Sequence, residues 1–282
     1  MKSGVACFLS ALSLCKDIRD VMLILYVDEE YDFLGMRAIL EDLPRISPHL
    51  LLSADGSDMA IGNGCRGLIE IHGNIFGVSA HAGRPHLGVN AIYGAIDSMR
   101  FLTEYLSNYS HPILGASSLN LARLNAGKAD IDPKTANISV VEQINSVPDL
   151  AQFKVDIRPS SPNIRAEQLV NALRDYCHMH KIRLDNVNIQ HNYGAWYTEP
   201  EELYELESII SSMTGNAVNY ANPSLRGYID LQMLWDAIGR PPAVTFGPGP
   251  SSVCHQIDEY CEMDKLIMTR DIFVEVLKNF GT

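Results

Sequence analysis

The sequence predicts an α/β protein: a mostly parallel sheet with helices on both faces, interrupted by a second, α+β unit. Three observations predict it. Strand-length apolar runs alternate with helix-length amphipathic segments up to about residue 65. Residues 66–192 break that rhythm with the order strand–helix–strand–strand–helix–strand, which is that of a ferredoxin-like unit. From Glu199 the alternation returns. The chain therefore divides into 1–65 with 193–282, which complete one sheet, and an inserted 66–192.

Taken in order, residues 3–17 read as a helix with Phe8, Leu12 and Cys15 on one face. The same stretch, with Lys2 ahead of Gly4–Leu9, also has the look of a signal peptide. The helix is preferred, because removing it would strip a layer from the strand that follows. That strand is the apolar run 21–27, expected to be buried on both faces. An acidic turn and a helix from Phe33 to about Asp42 come next. A strand spans His49–Ser53 and ends in the loop Ala54-Asp55-Gly56-Ser57.

In the insert, residues 68–78 alternate like a half-exposed strand, and a helix follows from Val89 to about Asn108. Strands are expected around 137–144 and 152–157, a helix over 166–180, and a strand near 187–190. The last part predicts helices at 199–213 and about 230–238 and a strand at 243–246. A Gly/Pro loop at 247–250 and a helix at about 263–280 complete it.

Composition narrows the function. A formal net charge of −12 with no compensating basic patch argues against nucleic acid or anionic lipid as the main partner. No apolar stretch has the length of a membrane-spanning helix. The six cysteines show neither CxxC pairing nor a disulfide-like framework, which points to free thiols in a reducing cytoplasm. Cys254 beside His255 admits a Cys/His nucleophile reading, ranked low because sequence neighbours diverge in direction.

The chemistry concentrates in a few segments. Asp28-Glu29-Glu30 closes the first apolar strand, at the carboxyl edge where open α/β sheets place their sites. Adjacent glutamates in a turn point apart, so one can hold a metal while the other handles a proton. A solvated acidic turn is the plain alternative. Asp55 opens an Asp-Gly turn. Arg158 can serve as a structural partner of Asp156. Asp230 can cap the next helix.

Read together, these segments resemble the M20 metallopeptidase/amidohydrolase family, which includes succinyl-diaminopimelate desuccinylase, acetylornithine deacetylase, aminoacylase and related carboxypeptidases. The resemblance rests on Met1-Lys2-Ser3-Gly4, Asp28-Glu29-Glu30, and Ser79-Ala80-His81-Ala82-Gly83-Arg84-Pro85 with Gly88–Ala91. It continues through Asn145–Asp149, Asp156-Ile157-Arg158, and Gly247-Pro248-Gly249 followed by His255 and Asp258-Glu259. It covers nearly the whole chain in the right order.

The resemblance implies a zinc-exopeptidase-like catalytic domain formed by 1–65 and 193–282, with 66–192 as a dimerisation domain. It implies two zinc ions, replaceable by cobalt or manganese, and hydrolysis of an amide bond in N-acyl amino acids or small peptides. Glu29 would be the general base that activates the attacking water. Glu30 and His255 would bind one zinc and Asp55 the other. His81 would stabilise the oxyanion from across a homodimer. Arg66, Asn145, Arg158 and Gly227 would contact substrate. The family's His-x-Asp motif and its bridging Asp have no counterpart in the sequence, so three of five protein ligands remain. The expectation is a fragment of a longer hydrolase. The alternative is a truncated, inactive homologue acting as a dimeric binding protein.

Overall fold

In the computed structural model, which describes residues 1–281, the chain falls into two compact units. One is Met1–Cys65 with Trp196–Thr282, the other Arg66–Ala195. In chain order the elements are α1 (Lys2–Leu14), α2 (Leu34–Asp42), β1 (Leu51–Ser53), β2 (Gly64–Cys65) and β3 (Leu68–Phe76). Then come α3 (Ala91–Ser107), a small hairpin of β4 (Ser110–His111) and β5 (Gly115–Ala116), β6 (Ser118–Ile131) and β7 (Ile138–Val141). The chain ends with β8 (Leu150–Arg158), α4 (Ala166–Met179), β9 (Arg183–Tyr193), β10 (Trp196–Tyr197), α5 (Tyr204–Thr214), α6 (Leu231–Ala237), β11 (Ala243–Thr245) and α7 (Met263–Phe280).

The first unit is built around a parallel pair. β1 pairs with β11, Leu51 opposite Ala243 and Ser53 opposite Thr245. Helix α1 buries Gly4, Cys7 and Ala11, a face repeating every three or four residues. Against it α7 buries Ile272, Phe273, Val276 and Leu277, and the Phe8 and Phe273 rings stack with centroids 4.1 Å apart. Leu206 and Ile210 of α5 join the same core. Helix α5 ends on Gly215 at φ +68°, a left-handed backbone that glycine adopts without strain.

Val21–Val27 departs from expectation. It lies in no strand, and Val21, Met22, Leu23, Leu25 and Val27 are exposed, Val27 to 76%. An apolar run becomes a buried strand only if a neighbour completes its ladder. No strand among the described residues pairs with it, and the sheet of β1 and β11 stops at two strands. The predicted 199–213 helix also begins later, because Pro200–Leu203 forms a separate 3₁₀ turn closed by a capping box between Glu199 and Glu202.

The second unit carries a five-stranded antiparallel sheet in the order β7-β6-β8-β3-β9. Ile69, Ile71 and Ile75 of β3 and Phe153, Val155 and Ile157 of β8 point to one face, where α3 and α4 cover them with Leu102, Leu106, Leu169 and Leu173. Asn90 starts α3 by accepting the Ile92 N–H at 2.9 Å. The second strand of this unit is β6, not the predicted 137–144. That segment folds back on β6 as the edge strand β7.

Candidate active site

Because β1 and β11 run parallel, their carboxyl ends leave the sheet on the same edge, and the loops that follow meet there. The Asp58 N–H donates to the Gly249 carbonyl at 2.7 Å and the Met59 N–H to the Gly247 carbonyl at 2.9 Å. The approach is too close for side chains. A Cβ on Gly56 would lie 2.5 Å from the Phe246 backbone, and one on Gly247 would lie 2.2 Å from the Gly56 carbonyl oxygen. Asp55 and the loop leading to His255 are thus held together by main-chain contact.

The acidic turn is set by Asp28. Its backbone is left-handed (φ +66°), its carboxylate accepts the Leu34 N–H at 3.0 Å, and its carbonyl accepts the Phe33 N–H at 3.1 Å. That turn sends its two glutamates to different surroundings. Glu29 is half-buried, within electrostatic reach of Asp55 and Asp230. Glu30 is 64% exposed, with its carboxylate 3.7 Å from Nδ1 of His255.

Four carboxyls share this part of the unit, and burial plus mutual repulsion push three of them up. Glu29 rises to about 7 through burial and the nearby charges of Asp55, Asp230 and Glu30. Asp230 rises to about 6, chiefly through burial, with a Tyr26 hydrogen bond opposing. Asp55 is raised by burial, opposed by the Met1 amino group, Arg226 and His255. Arg226 also donates to the Asp55 main-chain carbonyl at 3.3 Å.

Arg66, His81, Asn145 and Arg158 belong to the other unit. His81 and Asn145 are neighbours there. His81 bridges Ser146, and the Ala82 N–H donates to the Asn145 carbonyl at 2.9 Å. Nδ1 of His81 accepts the Gly83 N–H at 3.0 Å, so in the neutral ring Nε2 carries the hydrogen and is a donor. Arg66 donates weakly to Ala116 and Ser118, and its Nε is buried without an acceptor. Arg158 is engaged bidentately with Asp156 at 2.7 and 2.8 Å, which favours the structural reading of that arginine. In the first unit, a Cβ on Gly227 would meet open space.

Residues 63–184 match the sequence profile of the M20 peptidase dimerisation domain. Over 283 residues the chain is 23% identical to an acetylornithine deacetylase of Buchnera aphidicola, covering 96% of this chain and 68% of that one. It is 25% identical over 288 residues to a Mycobacterium tuberculosis protein named as a succinyl-diaminopimelate desuccinylase, covering 96% and 71%. The fold is that of aminopeptidase PepT from Bacillus cereus, with a TM-score of 0.69 at 19% identity, covering 100% of this chain and 71% of that one. Residues 63–184 belong to the M20 dimerisation-domain family, and over nearly its whole length the chain is similar to proteins of the M20 hydrolase family.

The M20 relatives named above are hydrolases acting on amide bonds. The donor set of this chain suits a divalent cation: a carboxylate and an imidazole side by side at Glu30 and His255, with Asp55 in electrostatic reach. The strain of the carboxyls points the same way, since a cation would relieve the repulsion that raises Glu29, Asp55 and Asp230. As placed, no three His, Cys, Asp or Glu among the described residues close a ligand shell. Cys254 is turned from its neighbour, its thiol donating to the Pro250 carbonyl while His255 faces Glu30.

Two residues of this candidate site escaped the sequence reading. Arg226, which flanks Asp55, carried only the faint signal of preceding Gly227. Tyr26 looked like one more apolar residue of its run, yet its hydroxyl donates to Asp230 at 2.6 Å. Asp230 itself occupies the position before α6 but makes no side-chain cap there. No helix among the described residues is long and apolar enough to cross a membrane.

Proposed function

We propose that this chain carries the base and part of the ligand set of a zinc-dependent hydrolase that cleaves the amide bond of N-acyl amino acids or small peptides. One observation carries the reading: Glu29, a half-buried carboxyl titrating near 7, sits in the same acidic turn as the exposed Glu30–His255 pair. A base near neutral accepts a proton readily and gives it up as readily, which is what a catalytic base needs. Its next-door carboxylate has a different task, pairing with an imidazole where a cation can be gripped. Glu30 and His255 would hold one zinc and Asp55 would contribute to a second. When bound, zinc polarises the scissile carbonyl and lowers the pKa of the attacking water.

Glu29 takes the proton of that water and delivers it to the leaving amine. His81, with hydrogen on Nε2, donates to the oxyanion across a homodimer formed through the dimerisation domain. Arg66 and Asn145, both in the dimerisation unit, supply the donors that recognise a substrate carboxylate.

A second reading, a dimeric binding protein without turnover, draws on the ligand geometry, because among the described residues no three donors converge. One experiment separates the two. The protein is loaded with zinc and supplied with N-acetyl and N-succinyl amino acids and a dipeptide. Zinc retained on the chain with chelator-sensitive release of amine supports the hydrolase. Binding by calorimetry with no amine released supports the binding protein.

A further inference from the structure

The five-stranded sheet of the second unit ends unevenly. β8 begins at Leu150, opposite Gly127 of β6, and β3 ends at Phe76, opposite Leu150 and Arg183. β6 runs on to Ile131, accompanied there only by β7. Beside this overhang lies a groove of about 390 Å³, lined by Ile131, by Phe76 and Val78, and by the turn from α4 into β9 at Lys181, Ile182 and Arg183. That volume suits a small molecule. The whole lining belongs to the second unit.

The groove joins apolar walls to positive charge. Val78 and Ile131 are 49% and 57% exposed. The Lys181 ammonium has no hydrogen-bond or ion-pair partner among the described residues. Arg183 lies over the Phe76 ring, 4.6 Å from its centroid, and donates to Asp185 through one nitrogen at 2.6 Å, so its other N–H groups are unengaged. The carboxylate in the lining, Asp149, is already matched: it pairs with Lys128 and accepts the Ala129 N–H at 2.7 Å. Lys181 is also in an uncommon place. α4 closes with the Ile182 N–H on the Cys177 carbonyl at 3.0 Å and the Lys181 N–H on the His178 carbonyl at 3.3 Å. Residue 181 of that turn is left-handed, φ +58°, where glycine is the usual choice. Lysine sits there against its backbone preference, and what it adds over glycine is a cation at the groove.

We propose that this groove binds a small monocarboxylate with a branched or aromatic apolar body. Its carboxylate lies on Lys181 and Arg183, and its body on Phe76, Val78, Ile131 and Ile182. Asp185, which already shares Arg183, disfavours a second negative charge on the ligand.

The probe is 4-methylpentanoate, titrated into the full chain and followed by calorimetry and by NMR shifts of the backbone amides. Its uncharged amide and inorganic phosphate are the controls, one keeping the body and the other the charge. The acid should shift residues 129–131 and 181–183 saturably and bind about tenfold tighter than either control, the effect of one charged hydrogen bond. Lys181→Gly removes the ammonium and suits the left-handed backbone. It should weaken the acid about tenfold while the melting temperature holds or rises, which a merely structural lysine would not do. Equal affinity for acid and amide overturns the proposal, as does unchanged binding by Lys181→Gly. So does the absence of saturable shifts in the groove at about 10 mM acid, tenfold above a millimolar Kd. Shifts of these residues on dilution alone, without acid binding, make the groove a subunit interface and equally overturn it.

Discussion

Replacing Glu29 by Gln should remove activity and, in the metal-free protein, add stability. The native carboxyl titrates near 7 against an ordinary 4.5, because it is partly buried and faces Asp55, Asp230 and Glu30. The native state thus binds this proton more tightly than the unfolded chain does. Its contribution to stability is fully present below pH 4.5 and is lost as pH rises through 7. At about 1.4 kcal/mol for each tenfold, carrying the charge at pH 8 costs at most about 3 kcal/mol. Glu29 is only half-buried, so solvent screening brings this to about 1 kcal/mol. Gln has nearly the same shape and carries no charge, so it avoids the cost. Urea unfolding of chelator-treated protein should therefore show Glu29→Gln more stable by about 1 kcal/mol at pH 8 and equal to wild type at pH 4. With zinc, kcat should drop by about 10²- to 10⁴-fold, as for loss of a general base. A variant that is less stable at pH 8, or that gains equally at both pH values, would refute the electrostatic account.

Other consequences are direct. Gly56→Ala places a methyl 2.5 Å from the Phe246 backbone, so it should lower the urea stability by about 2 kcal/mol and cost zinc binding as the two loops part. His255→Ala should change stability by less than about 0.5 kcal/mol, because it and Glu30 are mostly exposed, while zinc per chain by elemental analysis falls. Alkylating the exposed Cys254 should leave amine release intact and a chelator should abolish it, since Cys254 bonds to Pro250 rather than to His255. His81→Ala should lower kcat with little change in melting temperature, as the ring is exposed and bonded only to Gly83 nearby.

The two units differ in how openly the sequence announces them. Helices α1, α4 and α7 were visible because their apolar residues recur every three or four positions and need only local geometry to form. β6 was not. Leu119 and Leu121 face the core, a bulge between Leu121 and Arg123 slips the phase, and Leu124 and Ala126 resume it, so the alternation of two is broken in the middle of the strand. The run 21–27 failed for the opposite reason. Its composition specified burial, but burial of a strand depends on a neighbour that local pattern does not reveal.

The same division holds at the site. Residue type and order pointed to Glu29 and Glu30, because proton transfer and cation binding demand carboxylates whatever the fold, and the resemblance to the M20 family added Asp55 and His255. Only the tertiary structure set Asp55 beside the loop toward His255, through a parallel pairing across nearly two hundred residues and two glycines in van der Waals contact. It alone made two adjacent glutamates unlike, by burying one against Asp230 and leaving the other in water. That difference is one of desolvation and neighbouring charge, and both are properties of packed three-dimensional surroundings.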